Sequence, residues 1–217
     1  MITVKQRDNV IANTKKFICD FYKNDSSGHD YWHSIRVYNN ARKIAKLEKA
    51  DLFVVELAAL LHDVDDEKLV SKSNNNAVNF LKFQNIDKEI IEKVRYIIEN
   101  QSFKKSIGNN KRLKTIEAMI VQDADRLDAI GAIGIARIFT YGGSRRKEMH
   151  NPIKGINNYQ TQTDYLNNDN TIINHFYEKL LKLKGLMNTK TAKALAAKRH
   201  KFMEDFLKEF FGEWGDN

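Results

Sequence analysis

Apolar residues recur along most of this chain at the spacing of amphipathic helices. Val10, Thr14, Phe17, Ile18 and Phe21 mark an opening helix, which ends near the turn-forming cluster Asn24-Asp25-Ser26-Ser27-Gly28. A second periodic segment begins at His29-Asp30-Tyr31-Trp32-His33 and continues through Val37, Tyr38, Ala41, Ile44 and Ala45. It sets His33 and Arg36 one turn apart, able to face the same way. Asp51 is the expected N-cap of a third helix, and the run from Val54 to Leu61 within it is almost wholly apolar. That run ends abruptly in His62-Asp63, followed by Val64-Asp65-Asp66-Glu67.

Such a helix reads as buried, with its end opening into a polar site. A carboxylate buried beside an imidazole is costly unless something pairs with both, and a divalent cation is the usual partner. The alternative for a bare His-Asp pair is a capped helix end with a solvated acidic turn.

Further on, Ala77, Val78, Phe80 and Leu81 predict a short helix, and Asp87 caps another carrying Ile90, Ile91, Val94, Ile97 and Ile98. Lys104 to Arg112 has no period and reads as a basic loop. One central helix is then predicted from Ile116 through Asp123-Ala124-Asp125-Arg126-Leu127-Asp128 to Arg137, with charges among small apolar residues that need inward-facing partners. Tyr141-Gly142-Gly143 to about Asn170 reads as a long loop. Two helices close the chain, one from about Thr171 to Met187, the other from Asn188-Thr189 through Phe210.

Composition narrows the classes. The 217 residues contain no Pro/Gly/Ser-rich linker, and 42% are hydrophobic, so one domain with a sizeable core is expected. A single proline, Pro152, leaves long helices unobstructed. The lone cysteine, Cys19, excludes a disulfide framework and a thiolate metal cluster, and is expected as a small core residue. No signal-like N-terminus and no membrane-length apolar run is present, which predicts a cytoplasmic protein without a membrane partner. Lys+Arg 36 against Asp+Glu 28 gives a net charge of +8, suited to nucleic acid, a membrane surface or small anions. A bias toward Lys, Asn and Ile, as at Asn74-Asn75-Asn76 and Asn167-Asn168-Asp169-Asn170, accounts for that charge equally well.

His33, His62, Asp63 and an aspartate of the 123–128 segment would draw metal ligands from three helices. Imidazole and carboxylate without thiolate suit one Mn, Fe, Co, Ni or Zn ion better than Mg. Such an ion keeps positions open for water and a phosphate oxygen.

This ordered set resembles the HD-domain metal-dependent phosphohydrolases, named for the His-Asp pair. The likeness is closest to a branch of small bacterial proteins with His29-Asp30-x-x-His33-x-x-Arg36-Val37, the Asp123 to Arg137 stretch, a Gly-Gly loop and the closing pattern His175-Phe176-Tyr177-Glu178-Lys179-Leu180-Leu181-Lys182-Leu183. That branch includes nucleoside triphosphate pyrophosphohydrolases. The resemblance covers nearly the whole chain and implies an all-α, single-domain helical bundle over 1–217. The metal-ligand core would lie at about 25–140, a mobile loop at about 141–170 and closing helices at about 171–211.

Carried over by motif, the ligands are His33, His62, Asp63 and Asp125, the last because it stands in the Ala124-Asp125-Arg126-Leu127 string. Asp128, one turn on, would orient a ligating histidine. Asp123 is assigned a structural or capping role. His29 belongs to the signature and implies a substrate contact, a place behind the metal ligands, or a turn cap. Asp66 would be the base or water-orienting residue, with Glu67 behind the metal ligands, or both belong to a solvated acidic turn; alarmone hydrolases carry these acids in the opposite order. Arg36, Arg126, Lys179 and Lys182 are candidates for phosphate oxygens or for surface salt bridges, and Arg145, Arg146 and Lys147 for an anion clamp. Tyr31 and Trp32 could stack on a base or belong to the core.

The implied reaction is attack of water on the α-phosphorus of a (deoxy)nucleoside triphosphate, releasing monophosphate and pyrophosphate. A nucleoside monophosphate, cyclic nucleotide or alarmone would present phosphate to the same ion. The extra histidines of two- and three-metal HD enzymes are missing, which counts against cyclic dinucleotides. A non-enzymatic alternative is a nucleotide- or nucleic-acid-binding module with a structural ion, using Lys104 to Arg112 and Lys198-Arg199-His200-Lys201. The complete ligand set and the lack of a recognised DNA-binding motif count against it. Self-association is left open.

Overall fold

Caps and turns set the helix boundaries in the computed structural model, which describes residues 3–23, 30–66, 75–101, 113–157 and 170–215. Among these residues every regular element is a helix, so the expectation of an all-α chain holds. The described residues group into two compact units, the first reaching Ala124 and the second starting at Asp125.

In the first unit, α1 (Val4–Phe21) is opened by a capping box between Thr3 and Gln6, α2 (Tyr31–Glu48) by the Asp30 side chain, and α3 (Leu52–Leu61) by Asp51, which accepts from the amides of Phe53 and Val54. Then come α4 (Asn76–Phe83), α5 (Lys88–Asn100) and the greater part of α6 (Ile116–Asp128). Helix α3 is the centre, since every residue from Phe53 to Leu61 is buried, and α1, α2 and α5 pack on it. Each such Leu or Val contributes about 1.5–3 kcal/mol through burial. The one polar intruder, Glu56, is matched: Arg42 Nε lies 2.6 Å from its carboxylate and the Tyr38 hydroxyl donates to it at 3.3 Å. Burial, reinforced by Glu56, raises the Tyr38 pKa and keeps that hydroxyl a donor.

The predicted stripe of α1 is sound, with Val10, Thr14 and Ile18 buried and Phe17 stacked on Phe80 of α4 at 4.4 Å. Cys19, expected in the core, is exposed. It stands one residue, or about 100° around the helix, beyond Ile18, which turns it off the buried face.

The second unit contains α7 (Gly131–Ser144), α8 (Ile172–Glu178), a 3-10 turn (Leu180–Leu186) and α9 (Lys190–Trp214). Phe139, Phe176 and Phe206 form its aromatic centre, with ring centroids 5.8 to 6.5 Å apart. The single helix predicted from Ile116 to Arg137 is broken at Ala129-Ile130. Gly131 has φ +79°, a value that L residues with side chains rarely adopt. At Gly134, an added Cβ would sit 2.4 Å from the Ala129 carbonyl oxygen. Gly134→Ala is therefore expected to cost about 1–3 kcal/mol, because the obstacle is backbone and cannot swing aside. Urea unfolding of the variant measures this, and an unchanged midpoint would show that the 129–134 corner yields.

The loop expected from Tyr141 starts later, since α7 continues through Gly142-Gly143 to Ser144. Gly142 leaves room for Ile172, whose Cδ1 would lie 2.4 Å from a Cβ there. The stretch 145–157 is tied down: Asn174 Nδ2 donates to the carbonyls of Lys154 and Gly155 at 2.9 and 3.1 Å, and buried Glu178 accepts from the Asn157 amide at 2.9 Å. The first closing helix is shorter than expected, because Lys179 (φ −137°, ψ −59°) ends α8 and the chain proceeds as the 3-10 turn. No helix among the described residues is long and apolar enough to cross a membrane.

Candidate metal centre

The end of α3 delivers His62 as its C-cap residue, in right-handed helical conformation, and Asp63 follows directly. Helix α2, packed on α3, brings His33, whose backbone amide is fixed by Asp30 at 2.6 Å. All three side chains are buried, and their donor atoms lie within 4.8 Å of one another. His62 Nε2 is 3.1 Å from Asp63 Oδ2 and 3.2 Å from His33 Nε2, and His33 Nε2 is 3.5 Å from the same Oδ2.

The tautomer of His62 follows from its other nitrogen. Nδ1 is 3.0 Å from the Ala59 carbonyl oxygen, which can only accept, so Nδ1 carries the proton. In the neutral ring Nε2 then presents a lone pair to a carboxylate oxygen and to a second imidazole nitrogen. That arrangement is repulsive without a cation. A proton can bridge one pair; a divalent ion serves all three donors together. The spacing fits: neighbouring ligands at about 2.1 Å from an ion stand about 3 Å apart at right angles. The residues present therefore suit a divalent metal.

The remaining candidates are positioned as follows. Asp66 is half-buried and donates its amide to the Asp63 carbonyl at 3.0 Å, so both carboxylates spring from one tight turn. Arg36 is half-buried on α2, and Trp32 beside it is 63% exposed with its ring edge-on to Tyr31. Trp32 is thus a surface residue rather than part of the core.

In the second unit Asp125 is half-buried, whereas Asp128 is buried and ion-paired with Arg137 at 2.6 Å. Arg126 is also buried and donates through Nη1 to the Leu186 carbonyl. Lys179 is half-buried and Lys182 exposed. Close to Lys179 is His175, whose pKa is lowered to about 3 by burial first, then by Lys179 and Lys147. His29, Glu67 and the basic loop Lys104 to Arg112 lie outside the described residues.

The HD-domain family model matches residues 31–130, the segment that contains His33, His62, Asp63 and Asp125. Bacillus subtilis (strain 168) YpgQ is 39% identical over 212 residues, spanning 96% of this chain and 94% of that protein. The chain belongs to the HD-domain family. Solved structures agree with the assignment. An HD-superfamily hydrolase from Bacillus thuringiensis is 38% identical, with TM-score 0.77 and coverage of 97% of this chain and 100% of that one. A Lactobacillus plantarum protein is 40% identical, with TM-score 0.86 over 100% of both chains. YpgQ in complex with ADP has TM-score 0.77 and 33% identity over 96% of each chain. This HD protein is accordingly a metal-dependent phosphohydrolase, and His33, His62 and Asp63 are a group among its described residues that could hold a metal ion.

Turn 62–66 also contains a residue that sequence reasoning passed over. Both carboxylate oxygens of Asp65 accept backbone amides at the start of α4, from Asn76 and Ala77. The only sequence signal was an aspartate in an acidic run and an asparagine in an asparagine-rich one.

Proposed function

We propose that this HD protein, acting as one domain over 1–217 in the cytoplasm, hydrolyses a (deoxy)nucleoside triphosphate to the monophosphate and pyrophosphate. In this reading His33, His62, Asp63 and Asp125 hold one Mn, Fe, Co, Ni or Zn ion. The supporting observation is the convergence of two imidazoles and a carboxylate on one buried point, with the His62 lone pair turned inward by Ala59. The choice of a nucleotide draws on YpgQ, whose structure is known in complex with ADP.

When bound, the ion supplies Lewis-acid polarisation of phosphate oxygens and promotes ionisation of water. The residues supply the rest. Asp66 takes a proton from the attacking water as its oxygen bonds to the α-phosphorus and the bond to the bridging oxygen breaks. Arg36 and Arg126 orient the phosphates, and Lys179 and Lys182 meet the charge that develops on the departing pyrophosphate.

Lys182→Ala tests the substrate. A lost charge-assisted contact corresponds to about tenfold or more in rate. Triphosphate hydrolysis should fall by that factor while monophosphate hydrolysis is unaffected, and the product of the wild-type reaction should be pyrophosphate. Orthophosphate as the sole product, with no pyrophosphatase present, would make the protein a phosphomonoesterase or another HD phosphohydrolase instead.

A further inference from the structure

Helix α4 begins without a cap of its own. Its N-cap residue, Asn75, lies in the left-handed region (φ 50°, ψ 40°) and makes no side-chain cap hydrogen bond. The free amides of its first turn are taken instead by Asp65, eleven residues earlier: Asn76 N donates to Oδ1 at 2.6 Å and Ala77 N to Oδ2 at 3.1 Å. The connection is returned, because the Asn76 side-chain amide donates to the Val64 carbonyl at 3.0 Å.

These bonds complete the fixing of the turn that bears the His-Asp pair. Val64 N donates to Leu61 O at 3.3 Å, Asp66 N to Asp63 O at 3.0 Å, and the Val64 side chain is fully buried. Asp65 lies between the acid assigned to the metal and the acid assigned to the water. Its own carboxylate accepts the first two amides of α4.

We propose that Asp65 and Asn76 form a positioning clamp, through which α4 sets the directions of Asp63 and Asp66 for the metal and the attacking water. Neither residue touches substrate; both act through the turn. This rests on the metal-centre reading above, and supporting contacts of this kind commonly alter metal affinity ten- to a hundredfold.

The test is calorimetric titration of Mn²⁺ into metal-stripped full-length protein, alongside the melting temperature of the metal-free forms. Asp65→Ala should raise the Mn²⁺ Kd by about tenfold or more. Asn76→Ala, which removes only the return bond, should raise it by a smaller factor. The double variant should be no weaker than Asp65→Ala, because both residues serve one device. A lowered melting temperature with wild-type Kd in both single variants would reduce the clamp to a helix cap and overturn the proposal. Should Asp65→Ala fail to fold, the Kd of Asn76→Ala decides alone: raised supports the clamp, unchanged overturns it. Wild-type protein that binds no Mn²⁺ would overturn the metal-centre reading, and the clamp with it, an outcome distinct from a normal wild type with unaffected variants.

Discussion

Replacing His62 or Asp63 by alanine is expected to leave a protein that holds no divalent ion and turns over at least a thousandfold more slowly. The ion contributes several kcal/mol to a phosphoryl-transfer transition state, and about 4 kcal/mol corresponds to a thousandfold in rate. Each variant removes a donor from a cluster whose members stand 3.1 to 3.5 Å apart in a buried site. The loss should also appear without any substrate. Mn²⁺ at a hundredfold its Kd should stabilise the wild type by about 2.7 kcal/mol and either variant hardly at all. Elemental analysis and thermal melts with and without metal make the comparison. A metal-loaded His62→Ala protein with wild-type turnover would remove His62 from the ligand set.

The second large effect concerns Asp66. An amide keeps the size of the side chain and abolishes its basicity, so Asp66→Asn should cost about a hundredfold or more in turnover. Metal content should be unchanged, because the backbone bond from Asp66 to Asp63 that shapes the turn does not involve the side chain. Activity with nucleotide and bound metal are measured on the same preparation. Wild-type turnover in this variant would return Asp66 to the solvated turn that the sequence also allows. Loss of metal would make it a ligand or a support for one.

Much of the helical pattern could be read in advance because burial and period coincide. Ile91, Val94 and Ile97 are buried on α5 as their spacing requires, and the apolar run of α3 is the centre of its unit. Three of the four proposed ligands, His33, His62 and Asp63, meet as expected, since each is set by a capped helix or by the residue next to one.

Features without a local signature were not legible. The break before Gly131 depends on a backbone angle, to which apolar periodicity is blind. That Arg126 Nη1 donates to a backbone carbonyl 60 residues away has no sign in the sequence around it. The ion pair between Asp128 and Arg137 likewise has no sign in the sequence around it. Asn76 fell within a run that read as compositional bias, and its bond to Val64 exists only because the chain folds back.

The exposure of Cys19 has a practical consequence. The chain has one cysteine, and its thiol lies on the outer side of α1, off the face packed in the core. A maleimide dye or spin label will therefore attach at one known place in the native protein, giving a site-specific reporter without mutagenesis. The same thiol can couple two molecules in air, so covalent dimers on a non-reducing gel would record oxidation at Cys19. Native association is measured with reductant present or on Cys19→Ser.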